Sequence, residues 1–308
     1  MLKKILVPLD GSPLAEQALG PALALARAVS AEALLLRSVT SMQPIFALSS
    51  ALTGQFESGL EDGLSASRQQ AVEEYLAGIQ RRHECPGCVV HTVAEMGEAA
   101  AAIVDVAHDE NVDLIVMSTH GETGVRRAVW GSVTERVLHG ADCPVLVVRS
   151  ADPIRRVLVA LDGSELSERI LPPAFDVARA LGAQVILLRV SETPLLNPLE
   201  IGMMWDMEPP LADQDVVAAA RSAAERYLAD IAAREGLADD VVTVVLEGLA
   251  ADRIEEYARL ADIDLIAMST HGRTGLRRWL YGSITTRVMR SGHRSMLILR
   301  PPGDALRG

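Results

Sequence analysis

Residues Ser118–Val133 read "STHGETGVRRAVWGSV", and Ser269–Ile284 read "STHGRTGLRRWLYGSI". The same glycines, serines and paired arginines thus occur twice, about one domain apart. Each copy follows an apolar run, "VDLIVMS" or "IDLIAMS", and precedes a segment with helical spacing. Strand, glycine-containing loop and helix in that order is the repeating unit of a wound parallel sheet.

The repeat extends well beyond this stretch. "ILVPLDGSPLAEQAL" near the start matches "VLVALDGSELSERIL" from Val157, and "AEMGEAAAAIVDVAHDENVDLIVMSTHG" matches "LEGLAADRIEEYARLADIDLIAMSTHG". In the first copy "KKILVPLD" and "EALLLRSV" read as strands. The segment between them, "SPLAEQALGPALALARAVS", reads as a helix with Ser12 as N-cap and Pro13 in its first turn. A polar loop from about Thr40 to Gly63 leads into a helix near 64–82, a strand near Val89 to Ala94 and a helix from Glu98 to His108. After the strand "VDLIVMS" come a helix from Ser132 to about His139 and a closing strand, "PVLVVR".

Such alternation requires a parallel sheet covered by helices on both faces and joined by right-handed crossovers. The strands are continuous apolar runs rather than alternating ones, which also places them between two layers. The expected fold class is therefore α/β, with two tandem doubly wound domains, 1–150 and 151–308. Each carries an open five-stranded parallel sheet. The seam, "RSADPIRR", is short and contains Pro153. Both domains end in an apolar strand whose bare edge would invite aggregation, so "PVLVVR" and "SMLILR" are expected to pair with each other or with another chain.

Composition narrows the function classes. At 308 residues the chain is long enough for two real cores, and with 49% hydrophobic but 3% aromatic residues those cores are aliphatic. A net charge of −12 argues against a nucleic-acid backbone as the main partner, while leaving room for a small anion in a local pocket. No apolar stretch reaches membrane-spanning length and none near Met1 reads as a signal peptide, so a cytoplasmic location is expected. Three cysteines cannot all pair, which fits a reducing compartment. Cys85 and Cys88, in "CPGC" with His83 and His91 nearby, have a metal-binding or redox spacing. The turn reading is preferred, because the second copy has "GLAD" at that place.

In open parallel sheets ligands settle beyond the carboxyl ends of the strands, where the winding direction reverses. Two strands per copy end in polar, glycine-bearing sequence: Asp10-Gly11-Ser12 or Asp162-Gly163-Ser164, and the two Ser-Thr-His-Gly stretches. Gly121, Gly124 and Gly131 offer amides for close approach, Ser132 opens a helix whose N-terminus attracts anions, and Arg126 and Arg127 add charge. Gly272, Gly275, Gly282, Ser283, Arg277 and Arg278 repeat the set, which describes a phosphate cradle. The bland alternatives are turn glycines, solvated arginines and an S-x-x-E capping box from Ser132 to Glu135. His120 and His271 lack the nucleophile and separate orienting carboxylate that a catalytic base needs, so packing within the loop is expected of them.

The combination of "ILVPLDGS", "DLIVMSTHG", a nine-residue gap and "GSVTERVLHGADCPVLVVR" closely resembles the universal stress protein family in its tandem two-domain form. That resemblance implies a Rossmann-like fold of the adenine nucleotide alpha hydrolase kind, an ATP ligand with Mg²⁺ or Mn²⁺, and a role in stress response or signalling through nucleotide-dependent conformation or partner binding. It further implies Asp10 and Asp162 beside the adenosine and Val39 and Val190 flanking the base. Gly121, Gly131, Ser132 and Val133, with Gly272, Gly282, Ser283 and Ile284, would lie along the phosphates. The family's ATP-binding members begin this motif with glycine, whereas Ser118 and Ser269 stand there in this chain. A slow ATPase, with weak hydrolysis at most, and a dimerising scaffold with vestigial nucleotide pockets remain as alternative readings, and self-association as a homodimer through the closing strands is expected as well. The two sites also differ: Glu122 aligns with Arg273, and Glu135 with Thr286, so the second copy is the more favourable to an anion.

Overall fold

The computed structural model describes residues 2–39, 58–84, 87–119, 130–191, 214–236, 240–270, 283–291 and 293–300. The chain divides into two compact units, one of Met1–Pro153 with Ser295–Pro302, the other of Ile154–Arg294 with Gly303–Gly308.

In the first unit β1 (Lys4–Pro8) is flanked by β2 (Glu32–Val39) and β4 (Leu114–Ser118), both parallel to it, with Leu6 in register with Leu34 and Ile115. Beyond β2 lies β3 (Val89–Met96), and beyond β4 lies β5 (Val145–Val148), again parallel. The chain therefore winds outward from β1 through β2 to β3, then returns across β1 to β4. That reversal makes the carboxyl ends of β1 and β4 neighbours, as the sequence leads one to expect for a doubly wound sheet. Burial explains the uniform hydrophobicity of the middle strands. All residues of β4 and β5 are buried, as are Ile5, Leu6 and Val7 of β1.

The register is fixed at the amino ends. Asp113, just before β4, accepts hydrogen bonds from the backbone N–H groups of Lys3 at 2.7 Å and Lys4 at 2.9 Å. In the second unit Asp264 accepts in the same way from Arg155 at 2.8 Å and Arg156 at 2.9 Å. The aspartate of the "DLI" runs thus fastens the two strands whose other ends carry the polar loops.

Connecting helices follow their capping chemistry. Ser12 accepts from the Ala15 N–H at 3.1 Å to start α1 (Pro13–Glu16), and α2 (Leu19–Val29) follows after a tight turn at Gln17. A single helix was the sequence expectation. It breaks because the Pro21 ring would clash with the Gln17 carbonyl in a continuous helix, whereas in the first turn of α2 its missing N–H is harmless. The long helix α3 (Ser58–His83) lays Val72, Leu76 and Ile79 against β2 and β3, at helical spacing. On the return crossovers α4 (Ala99–Asp109), capped by Glu98, packs against α5 (Ser132–Gly140).

The second unit repeats the order. Parallel strands β6 (Arg156–Leu161), β7 (Gln184–Ser191), β8 (Val241–Glu247) and β9 (Leu265–Ser269) lie as β9-β6-β7-β8. Around them run α6 (Glu165–Glu168), α7 (Leu171–Leu181), α8 (Gln214–Arg234), α9 (Ala250–Leu260) and α10 (Ser283–Ser291). None of the described helices is long and apolar enough to cross a membrane.

The last strand, β10 (Ser295–Leu299), belongs to the first unit, where it pairs antiparallel with β5 through Met296–Val147, Leu297–Leu146 and Ile298–Val145. The two closing strands thus satisfy each other, and β5 is paired on both sides. The boundaries expected from the repeat, 1–150 and 151–308, follow sequence similarity; the compact units follow packing and differ in where this strand falls. Leu297→Pro removes a backbone N–H from the middle of β10 and puts a rigid ring into the ladder, at a cost of about 1–3 kcal/mol. Hydrogen exchange is expected to accelerate at residues 145–148, although they lie far from the substitution in sequence; unchanged protection there would count against the pairing.

Candidate functional site

At the carboxyl end of β1 the chain turns through Asp10, Gly11 and Ser12. The Asp10 carboxylate accepts from the Ser12 N–H at 2.8 Å, closing an Asx turn, and Gly11 takes φ +91°. In the second unit Asp162 accepts from both the N–H and the hydroxyl of Ser164, at 2.9 and 2.6 Å, and Gly163 takes φ +84°. The turn fixes each aspartate at the reversal point by its own backbone.

At the neighbouring strand end the helix is brought back to the sheet by two hydrogen bonds. The Gly131 N–H donates to the Thr119 carbonyl at 2.9 Å, and the buried Thr134 hydroxyl donates to the Ser118 carbonyl at 3.2 Å. The Thr285 hydroxyl repeats the second bond to Ser269 at 3.2 Å. Gly131 is the N-cap of α5, and no side chain caps that terminus. The Ser132–Glu135 capping box, one of the sequence readings, does not form because Ser132 is already the first helical residue. Ser118 and Ser269 are both buried, and the Ser269 hydroxyl has no hydrogen-bond partner among the described residues. Gly121, Gly272 and Gly282, with Gly124, Gly275, the paired arginines and both loop histidines, lie outside the described residues. So do Glu122 and Arg273. Val133 and Ile284 stand half-buried in the first turns of α5 and α10.

Val39 ends β2, buried, with its carbonyl accepting from the Gly97 N–H at 3.1 Å. The equivalent bond in the second unit runs from the Gly248 N–H to Ser191 at 3.2 Å. Ser191, not Val190, is therefore the counterpart of Val39. Side chains alternate along a strand, so a shift of one residue places Val190 on the opposite face.

Three residues per unit escaped the sequence reading. Arg37, two positions before the end of β2, lies over the ring of Tyr75 on α3, 4.8 Å from its centre, and Arg189 lies over Tyr227 on α8 at 4.6 Å. Both guanidinium groups lie so close to Gly11 and Gly163 that an added Cβ would meet their nitrogens at 2.8 Å. Tyr75 donates to Glu16 at 3.0 Å. Burial, then that bond to Glu16, pushes the Tyr75 hydroxyl well above the ordinary phenol range, and burial does the same for Tyr227. The Tyr227 oxygen makes no direct hydrogen bond of good geometry, although Glu168 and Ser167 are near enough to affect its ionisation. The available signal was the alignment itself, which matches Glu16, Arg37 and Tyr75 with Glu168, Arg189 and Tyr227.

At the other end Arg149, which follows β5, stacks over Trp130, 5.6 Å from the ring centre, and Trp130 immediately precedes Gly131. Burial lowers the Arg149 pKa. Among the described residues no three histidine, cysteine, aspartate or glutamate side chains gather as metal ligands. Cys85 lies outside those residues, Cys88 is buried, and burial pushes the Cys143 thiol up to about 12, too high for a reactive thiolate.

The universal stress protein family model matches the chain twice, over residues 1–149 and 153–300. A universal stress protein of Mycobacterium bovis is 26% identical over 97% of this chain and 96% of its own length. One from Methanocaldococcus jannaschii is 33% identical, covering 48% of this chain and 96% of its own. A universal stress protein structure from Archaeoglobus fulgidus superposes with a TM-score of 0.70 at 20% identity, covering 97% of this chain and 98% of that one. This last likeness establishes the fold.

The Thr134 bond is the feature that sets the start of α5 against β4. Thr134→Val keeps the shape and leaves the Ser118 carbonyl without that donor, which lowers stability by about 1 kcal/mol. Urea unfolding measures the loss, and faster amide exchange at residues 131–134 than in the parent protein is the accompanying local sign.

Proposed function

We propose, for a chain that belongs to the universal stress protein family, that each repeat binds an adenine nucleotide, ATP, beyond the carboxyl ends of its central strands. The observation that carries this reading is the N-terminus of α5: a nine-residue helix with no side-chain cap, held by hydrogen bonds against the end of β4. Beside β4 runs β1, which ends in the Asp10 turn. An uncapped helix start offers backbone N–H groups and the positive end of the dipole to an anion. An aspartate at the reversal point accepts from ribose hydroxyls. A ligand with sugar hydroxyls at one end and phosphates at the other satisfies both.

In this reading Asp10 and Asp162 hold the ribose, and Val39 lies along the base. Ser118, Gly121, Gly131, Ser132 and Val133 line the phosphates, with Ser269, Gly272, Gly282, Ser283 and Ile284 in the second repeat. The unpartnered Ser269 hydroxyl supports the assignment, since a buried donor without a partner costs free energy that a ligand oxygen recovers. Arg149 contributes positive charge next to Gly131. Mg²⁺ or Mn²⁺ would be carried by the phosphate oxygens and water, because the described side chains form no ligand cluster of their own. The protein acts in the cytoplasm as a nucleotide-dependent binding protein in stress response or signalling.

Gly131 has φ −64° and ψ 151°, a conformation open to any L-residue, so Gly131→Val preserves the backbone while filling the space a phosphate needs. Calorimetry is expected to show ATP lost from the first repeat and retained in the second. Full ATP stoichiometry in that variant would place the ligand elsewhere. Charge supplies a graded test. Glu135 is exposed in the first turn of α5, where an anion opposes a phosphate, so Glu135→Thr should raise first-repeat ATP affinity by about two- to fivefold, the range left after solvent screening. The gain should shrink as salt is added.

A further inference from the structure

The arginine at the tyrosine ring recurs in both units with the same neighbouring glycine. The guanidinium carbons of Arg37 and Arg189 lie 4.8 and 4.6 Å from the ring centres of Tyr75 and Tyr227. A ring face attracts the cation through its quadrupole and leaves N–H donors for a polar partner. Among the described residues no carboxylate forms an ion pair with Arg37 or Arg189. The glutamates beside the two tyrosines are engaged with other groups: Glu16 accepts from Tyr75 and faces Arg82 at 3.8 Å, while Glu168 pairs with Arg234 at 2.6 Å. Gly11 and Gly163, both at positive φ, leave the room each guanidinium occupies, since an added Cβ would meet its nitrogens at 2.8 Å. The outcome is a cation beside an aspartate-bearing turn.

A carboxylate alone at that place suits a ribose with free hydroxyls. A guanidinium added to it suits a ribose that carries a phosphate, because the planar fork matches phosphate oxygens two at a time. We infer that Arg37 and Arg189 form a second anion subsite at the ribose end of each crevice. The ligand class it takes is an adenine nucleotide with a further phosphate on the ribose 2′ or 3′ oxygen. This rests on the reading that Asp10 and Asp162 face the ribose. The two phosphate groups of such a ligand would be bound at separate places, one at the start of α5 or α10 and one at the arginine.

The test compares 5′-AMP with adenosine 2′,5′-bisphosphate and adenosine 3′,5′-bisphosphate by titration calorimetry on the full chain. The parent protein is expected to bind at least one bisphosphate about tenfold or more tightly than 5′-AMP, the effect of one added charge-assisted contact. Arg37→Met with Arg189→Met, which keeps an unbranched apolar stem over each tyrosine, should erase that preference while leaving 5′-AMP binding within about twofold, since a contact to an absent phosphate contributes nothing. Arg37→Lys with Arg189→Lys keeps the charge and should retain part of the preference, which guards against reading a folding defect as a lost contact. Equal binding of 5′-AMP and both bisphosphates by the parent protein overturns the subsite and leaves the nucleotide reading standing. A preference that survives in the methionine variant overturns it equally. Binding of none of the three, nor of ATP, overturns the nucleotide reading and the subsite with it.

Discussion

The adjacency of β1 and β4 is the constraint on which the rest of each unit depends. A parallel pair has no hairpin to set its register, so something else must fix it. Asp113 does so by accepting from two successive N–H groups at the start of β1, and Asp264 does so for β6. A carboxylate taking two backbone donors at 2.7–2.9 Å tolerates no slip of one residue. With the amino ends fastened and the register of Ile5 with Leu114 kept, the carboxyl ends of β1 and β4 finish as neighbours. The Asp10 turn and the Thr134 bond then act on a common edge of the sheet.

The periodicities carried most of this architecture. Apolar runs of strand length, alternating with 3.6-residue spacing, suffice for a doubly wound sheet, and the internal repeat doubles it. What periodicity does not encode is where a helix stops for steric reasons. The first crossover helix breaks at Gln17 because of a ring four residues later, and Pro172 and Pro173 stand in the first turn of α7 after the same kind of break. The capping box, an alternative at Ser132, does not form for a related reason. The S-x-x-E pattern is compatible with an N-cap at either Gly131 or Ser132, and the backbone bond from Gly131 to Thr119 selects the former.

The stacked arginines were legible only in part. Arg37, Tyr75 and Gly11 come from β2, α3 and the β1 turn, and no spacing in one segment implies that they meet. Their recurrence as Arg189, Tyr227 and Gly163 was present in the alignment, but a charged residue near a strand end reads as an ordinary solvated side chain unless the opposing helix is known. The one-residue offset between Val190 and the counterpart of Val39 has a simpler origin. Counting from the end of an apolar run gives a strand's length to within a residue or so, and in a strand one residue changes the face.

The two units share a frame without sharing a pocket. Val39, apolar and buried, has Ser191 as its counterpart, so this position at the end of the second strand is oily in one unit and hydroxylated in the other. Glu135 places a carboxylate in the first turn of α5, while the first turn of α10 carries no acidic residue. The carboxylate under each tyrosine is held differently as well, by the Tyr75 hydroxyl in one unit and by Arg234 in the other. If the proposed nucleotide binds, a buried apolar wall favours a stacked base and a helix start whose first turn lacks a carboxylate favours phosphate, so these differences would act on opposite ends of one ligand. Affinity alone would then understate the divergence. Two sites of similar strength can arise from a first repeat that grips the base and a second that grips the phosphates, and such sites would respond differently to salt, because charge carries a larger share of the binding in the second.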